Sequence, residues 1–144
     1  MTTGNEAIIS IHPRHAQAIL DGAKTVELRR RIPTLAIGTR LWIYATRPLG
    51  AVIGAVTVAQ SIRGEPEEIW QNLGSQTCIE YREYEAYFEG ALEAIALILA
   101  EPERSPKCIA IQDLRDLRHG FHPPQVLTRI SSQEAQSLRR MAMA

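Results

Sequence analysis

Residues 22–31 read Gly-Ala-Lys-Thr-Val-Glu-Leu-Arg-Arg-Arg, and how this stretch folds decides the architecture. Gly22 is suited to end a preceding helix, because glycine takes the left-handed backbone without a Cβ clash. Val26 and Leu28 then alternate with charged neighbours, which is the period-two pattern of a strand. Alternation predicts Thr25, Glu27, Arg29 and Arg31 on one face and Lys24, Val26, Leu28 and Arg30 on the other, with Val26 and Leu28 toward the core. Glu27 and Arg29 become neighbours, so that a carboxylate holds a guanidinium fork toward a phosphate, a carboxylate or a base edge. The same charges also suit an edge strand protected against pairing with another molecule.

Upstream, Ala7 to Ile11 is a short β-rich run, and Pro13 opens a helix to about Asp21 with Ala16, Ile19 and Leu20 on its apolar side. Downstream, Ile32-Pro33-Thr34 breaks the charged strand, and a turn at Gly38 leads into a second strand from Arg40 to Thr46. Here Leu41, Ile43 and Ala45 alternate with Trp42, Tyr44 and Thr46, an apolar face against an aromatic and polar one. Pro48 to Gly50 form a turn, and Ala51 to Ile62, rich in valine and isoleucine, is read as a long central strand. A helix opens at Glu65-Pro66 and runs through Trp70, and a second spans Ile79 to Phe88, with Tyr84, Tyr87 and Phe88 toward its buried side. Ala91 to Ala100 is continuous in apolarity and is read as a buried strand, and Cys108 to Ile111 as a separate short one, followed by a turn over Asp113 to Leu117. The prolines make Gly120 to Gln125 non-helical. Ser131 and Glu134 form a capping box for a last helix from about Ser132 to Met141.

Five or six strands with irregularly interspersed helices define an α+β fold, and a small, partly closed barrel buries both a long central strand and short edges. The 144 residues suffice for one domain. Sixteen basic and sixteen acidic residues give no net charge. Any nucleic-acid role therefore rests on a local patch. Cys78 and Cys108 stand apart without a CxxC pair, and the amino terminus has no signal-peptide pattern, which together point to a cytoplasmic protein with no membrane segment.

The stretches Ile9-Ser10-Ile11-x-Pro13, Gly22-x-Lys24-Thr25-Val26-Glu27-Leu28-Arg29, Gly38-x-x-Leu41-x-Ile43-Tyr44-Ala45-Thr46 and Pro123-Pro124-Gln125 resemble the ASCH domain family of the PUA-like superfamily. The resemblance runs over about residues 7–130. It implies a PUA-like mixed β-pseudobarrel of about five to six strands with flanking helices, as one domain over residues 1–144, with the last helix at about 132–141. It also implies a cleft bounded by the first helix and the charged strand. Members of the family are generally thought to bind RNA or modified nucleotides; one branch hydrolyses the amide of acetylated cytidine, and another has been described as a ribonuclease.

Carried onto this chain, the resemblance makes Lys24, Glu27, Arg29, Tyr44, Thr46 and Gln125 cleft candidates, with His12 and Arg14 at the mouth of the first helix. A phosphate fits the helix start beside Lys24 or Arg14, a base stacks on Tyr44, and Gln125 or Glu27 reads a base edge. Against these roles stand a core tyrosine at Tyr44, a loop-bracing Gln125, an exposed Arg14, and an Arg30-Arg31 pair that is solvated or caps backbone. The expected partner is RNA or a modified nucleotide, bound without chemistry. The alternatives are a small hydrolase with Lys24 and Glu27 as its catalytic pair, and a regulatory protein. The amidohydrolase pattern has a threonine three residues after the lysine, where this chain has Glu27. His12 with His15, and His119 with His122, lack further ligands at metal spacing, so neither a metal nor another cofactor is expected. The oligomeric state is left open.

Overall fold

A computed structural model describes residues 5–144. Strand β1 (Glu6–Ile11) leads into helix α1 (Pro13–Leu20), followed by β2 (Val26–Arg29), β3 (Arg40–Ala45) and β4 (Ala51–Gly64). Helices α2 (Pro66–Leu73) and α3 (Tyr81–Tyr87), joined by a 3₁₀ turn at Gly74–Gln76, form an excursion before β5 (Ala94–Ala110). The chain ends with α4 (Ile111–Leu117), β6 (Leu127–Ile130) and α5 (Ser132–Met143). The strands form one mixed sheet in the order β2-β5-β4-β3-β1-β6. Its neighbours are antiparallel except β1 and β3. The sheet curls into an open pseudobarrel, with β2 and β6 as its two edges.

Curling requires the long β4–β5 ladder to bend, and three register shifts along it supply the bends. Glu101, at a φ of 53°, sits in the shift between the Thr57–Ala100 and Ala55–Glu103 pairs. Pro106 lies where pairing jumps from Arg104 to Ile109, so its missing N–H breaks no rung. For this reason Ala94 to Ala110 is a single strand where two were expected.

Two other segments depart from expectation. The turn expected over Asp113 to Leu117 is helix α4, because Ile111, Leu114 and Leu117 recur at helical spacing, with Leu114 buried beneath α5 in one cluster with Leu138. Strand β6, four residues with apolar ones at its two ends only, shows no alternation of its own, and it exists by pairing antiparallel to β1.

Alternation along β1, β3, β4 and β5 produces two buried faces. One, carrying Ile9, Ile43, Ile53 and Leu97, packs on Ala16, Ile19 and Leu20 of α1 inside the curl. The other, carrying Ile8, Trp42, Tyr44 and Val52, is covered by α4 and by Leu138 and Ala142 of α5. Helix α5 thus docks on the body. Its start has the expected capping box between Ser131 and Glu134, and Glu134 also accepts two bonds of 3.0 Å from Arg118, which holds its carboxyl below the usual range. No helix among the described residues is long and apolar enough to cross a membrane.

Helix α1 approaches β4 where Gly54 leaves room for it. A Cβ there would stand 2.5 Å from the Glu103 carbonyl oxygen and 2.8 Å from both Leu20 methyls. The oxygen belongs to the paired strand and cannot yield without breaking the ladder. Gly54→Ala should therefore destabilise the protein by about 1–3 kcal/mol, read as a Tm lower by roughly 3–10 °C. An unchanged Tm would show that the strand pair has slack.

Candidate functional site

The site begins at the exit of α1. Gly22, at a φ of 84°, turns the chain back, and the N–H groups of Ala23 and Lys24 both donate to the Ala18 carbonyl at 3.0 Å. Lys24 therefore lies in a helix-closing turn and not in the strand, which starts at Val26. The alternation expected to put Lys24 on the Val26 face fails here, and its ammonium sits beside Glu27.

Within β2 the parity holds, but both faces are buried. Val26 and Leu28 pack with Ile69 of α2 and Tyr84 and Phe88 of α3, outside the curl. Glu27 and Arg29 pair with Leu97 and Ile95, whose side chains belong to the inner core. The charged face thus looks into one end of the pseudobarrel. β2 is an edge strand, as its charges also suggested, and its polar face lines a cleft as well.

Three side chains form the centre. Arg29 donates to Glu27 Oε2 through Nε at 3.0 Å and Nη2 at 2.9 Å, and to the Ser10 carbonyl at 2.9 Å. Lys24 Nζ lies 3.8 Å from Glu27 Oε1 and donates to the Thr77 carbonyl at 2.5 Å. Lys24 is 3% exposed and Glu27 8%. The Thr77 carbonyl is held in turn by the 3₁₀ segment, since the N–H and Oγ1 of Thr77 both donate to the Gly74 carbonyl. That segment needs a glycine, because a Cβ on Gly74 would come within 2.7 Å of the Trp70 ring.

Burial pushes the Lys24 ammonium below its ordinary pKa, and Glu27 opposes the shift without cancelling it. The excursion thus brings a carbonyl to a lysine that has three donors, of which this hydrogen bond uses one.

The start of α1 contributes two imidazoles, His12 at its N-cap and His15 in its first turn. His12 and His15 have ring centroids 6.5 Å apart, and both line the cleft with Ser10, Lys24, Glu27 and Arg29. Burial lowers the pKa of His15, and the Lys24 charge lowers it further. Arg14 Nη2 donates to His15 Nε2 at 3.1 Å, which makes that nitrogen the acceptor and places the ring proton on Nδ1. Arg14 is exposed and also pairs with Glu83 of α3 at 2.7 Å. Glu83, Ile79 and Tyr87 close the opposite wall, and the cleft holds about 330 Å³, within the size range of small-ligand sites.

Of the residues expected in the cleft, Lys24, Glu27, Arg29 and His12 converge, and Arg14 reaches the rim through His15. Tyr44 does not: it is 4% exposed on the sheet face that packs under α4 and α5. Odd and even positions of β3 face opposite sides, and Tyr44 shares its side with Trp42. Thr46, whose N–H donates to the Ile11 carbonyl, and Gln125, beside the Pro124 carbonyl that Ser10 Oγ holds at 2.7 Å, lie at the same end of the barrel but outside the lining. Arg30 caps backbone, as one of its readings had it, by donating to the carbonyls of Tyr87 and Glu89.

His15, Ser10, Glu83 and Tyr87 are additions. The i, i+3 histidines and the i, i+4 pair Glu83 and Tyr87 were visible as shared helix faces, but only the tertiary fold brings the two helices together. Thr25 Oγ1 donates to Gln76 Oε1 at 3.1 Å and is absent from the lining. His119 and His122 lie on the loop after α4, and no three His, Cys, Asp or Glu side chains cluster for a metal among the described residues.

Glu27 is the counter-charge of the buried Lys24 and the partly buried Arg29, whereas Arg14 is an exposed cation. Glu27→Ala should destabilise the protein by about 3 kcal/mol by leaving Lys24 and Arg29 uncompensated. Arg14→Ala should change stability by less than about 1 kcal/mol. Urea unfolding at neutral pH measures both, and equal effects would refute the shared counter-charge.

Residues 9–104 match the ASCH domain. An ASCH domain-containing ribonuclease from Zymomonas mobilis is 40% identical over 133 residues, covering 92% of this chain and 89% of that protein. A crystal structure of ASCH from Zymomonas mobilis aligns with a TM-score of 0.91 at 39% identity over 94% of each chain. Human THYN1 protein, solved in complex with 5-methylcytosine-containing DNA, has a TM-score of 0.62 at 5% identity, over 98% of this chain and 99% of that one, a likeness of fold alone. With the Lys24-to-Arg29 motif at the open end of a six-stranded pseudobarrel, the chain belongs to the ASCH domain family of the PUA-like superfamily.

Proposed function

We propose that the protein binds single-stranded RNA at the cleft between α1 and β2 and cleaves its phosphodiester backbone. The observation that carries this reading is a buried lysine of lowered pKa, set against the Glu27–Arg29 pair and facing an imidazole of lowered pKa across one cleft. The 40% identity to an ASCH domain-containing ribonuclease over most of both chains supports it. The exposed free thiols Cys78 and Cys108 support a reducing, cytoplasmic setting.

The roles follow from protonation and hydrogen bonding. His15, its pKa below the ordinary value of about 6.5, is neutral near pH 7 and takes the proton of a ribose 2′-hydroxyl when Arg14 swings off Nε2. The 2′-oxygen bonds to phosphorus and the bond from phosphorus to the 5′-oxygen breaks. That oxygen takes a proton from the Lys24 ammonium, which burial makes a readier donor. The products are a 2′,3′-cyclic phosphate and a 5′-hydroxyl, and water restores the two proton carriers. Arg29 Nη1 makes no hydrogen bond among the described residues and meets the charge that develops on the phosphoryl oxygens. Glu27 fixes the plane of the guanidinium and remains a positioning residue.

The expected outcome is cleavage of a single-stranded RNA into ends of those two kinds, with no cleavage of DNA of the same sequence, which has no 2′-hydroxyl. Lys24→Ala and His15→Ala should each lower kcat by about 10² to 10⁴. The profile of kcat/KM should be bell-shaped. Activity falls on acidification as His15 protonates, at a pKa below 6.5, and falls on alkalinisation as Lys24 loses its proton, at a pKa below 10.5. Cleaved DNA, or a 3′-hydroxyl at the cut, would overturn this chemistry. Binding without cleavage would return the site to a nucleotide reader.

A further inference from the structure

Resting on that reading, we infer that Tyr87 forms a shelf on which one unpaired nucleobase stacks beside the Lys24–Arg29 cations, so that the ligand is an unstacked single strand. Tyr87 was expected on the buried side of its helix. It is instead 42% exposed and lines the cleft, while the next residue, Phe88, is buried. A half-exposed ring at the wall of a charged cleft has an apolar face that the fold leaves uncovered, and nucleobases of every kind offer a matching π-face.

The ring is also held in place. Phe88 meets it edge-on at 4.7 Å between centroids. Arg30 Nη1 donates to the carbonyls of Tyr87 at 2.9 Å and Glu89 at 3.0 Å, which fixes the end of α3. A pre-positioned aromatic loses little freedom on binding, so its contact adds to affinity. Ile79 lies on the same wall and Leu28 on the adjacent β2, so apolar surface stands next to the donors that meet phosphate. The shelf does not read a base edge and should therefore accept all four bases. Duplex nucleic acid, whose bases are covered by their neighbours, gains nothing from it.

The test is a thermodynamic cycle on a short oligonucleotide with a 2′-deoxy sugar at the scissile position, which removes the nucleophile and leaves binding alone. Wild type and Tyr87→Ala are each titrated with the intact strand and with a strand that is abasic at the nucleotide in the cleft. Tyr87→Ala should weaken binding of the intact strand by about 5- to 100-fold, and binding of the abasic strand little. Tyr87→Phe should bind as wild type does, and because the ring is partly exposed, thermal unfolding should be near unchanged.

In the cleavage assay on all-ribose RNA, Tyr87→Ala should raise KM and spare kcat. Equal loss on both strands, or no loss on either, overturns the shelf while cleavage by wild type keeps the proposed function. Coupling between Tyr87 and the base without any cleavage keeps the shelf and removes the catalytic reading. No binding of any strand removes both.

Discussion

The carboxylate of Glu27, shared between Lys24 and Arg29, is the interaction on which the site's arrangement depends. It adds a polar tie between segments that the apolar packing of β2 on α2 and α3 already brings together. Arg29 extends the pair to the backbone of β1 through the Ser10 carbonyl, and Lys24 extends it to the α2–α3 excursion through the Thr77 carbonyl. Each cation covers one side of the carboxylate and also donates to a carbonyl. The network therefore satisfies charges that would be costly to bury singly. Because each link ends on backbone, moving any one of these segments moves the carboxylate. The cleft is consequently held by the fold itself and not by flexible surface residues.

The zero net charge conceals a division with consequences for any polyanion. Residues 64–93 carry eight glutamates and one arginine, a formal charge of −7, and the rest of the chain carries +7. The excursion forms one wall of the cleft through Ile79, Glu83 and Tyr87. A strand of RNA approaching the cations of β2 meets repulsion from that wall and attraction from the body. Such a field favours a ligand that enters from the α1 side and places its apolar base, not its phosphate, against α3. On the proposed reading, the exposed ring at Tyr87 lies where that polarity would place a base.

Much of the fold was legible in the sequence because periodicity is local. The β-rich runs of β1 and β4, the alternation along β3 and the capping box at Ser131 state their own structure without reference to the rest of the chain. What escaped reading was set by tertiary contacts. Strand β6 depends on β1 for its existence, and the prolines of β5 are tolerated only because register shifts leave them unpaired. At the site, alternation placed Glu27 and Arg29 correctly but put Lys24 on the wrong side, because the helix-closing turn at Gly22 delays the strand until Val26. Tyr44 shows the opposite error. Its aromatic ring looked available for stacking, but the face it shares with Trp42 is roofed by α4 and α5, elements that the period of β3 cannot announce.

The residue three positions after the lysine decides which chemistry this cleft can support. A hydroxyl there would give the lysine a nucleophile to activate, and amide hydrolysis through a covalent intermediate would follow. Glu27 puts a carboxylate in its place, already committed to Arg29. The hydroxyls of the surrounding segments are engaged as well: Thr25 with Gln76, Thr77 with Gly74 and Ser10 with Pro124. A site whose serine and threonine hydroxyls are engaged in this way, but with a proton donor, an imidazole acceptor and a fixed guanidinium, suits a substrate that brings its own nucleophile. RNA brings one in the 2′-hydroxyl, so under the proposed function the protein would only have to hold the strand in line and move two protons.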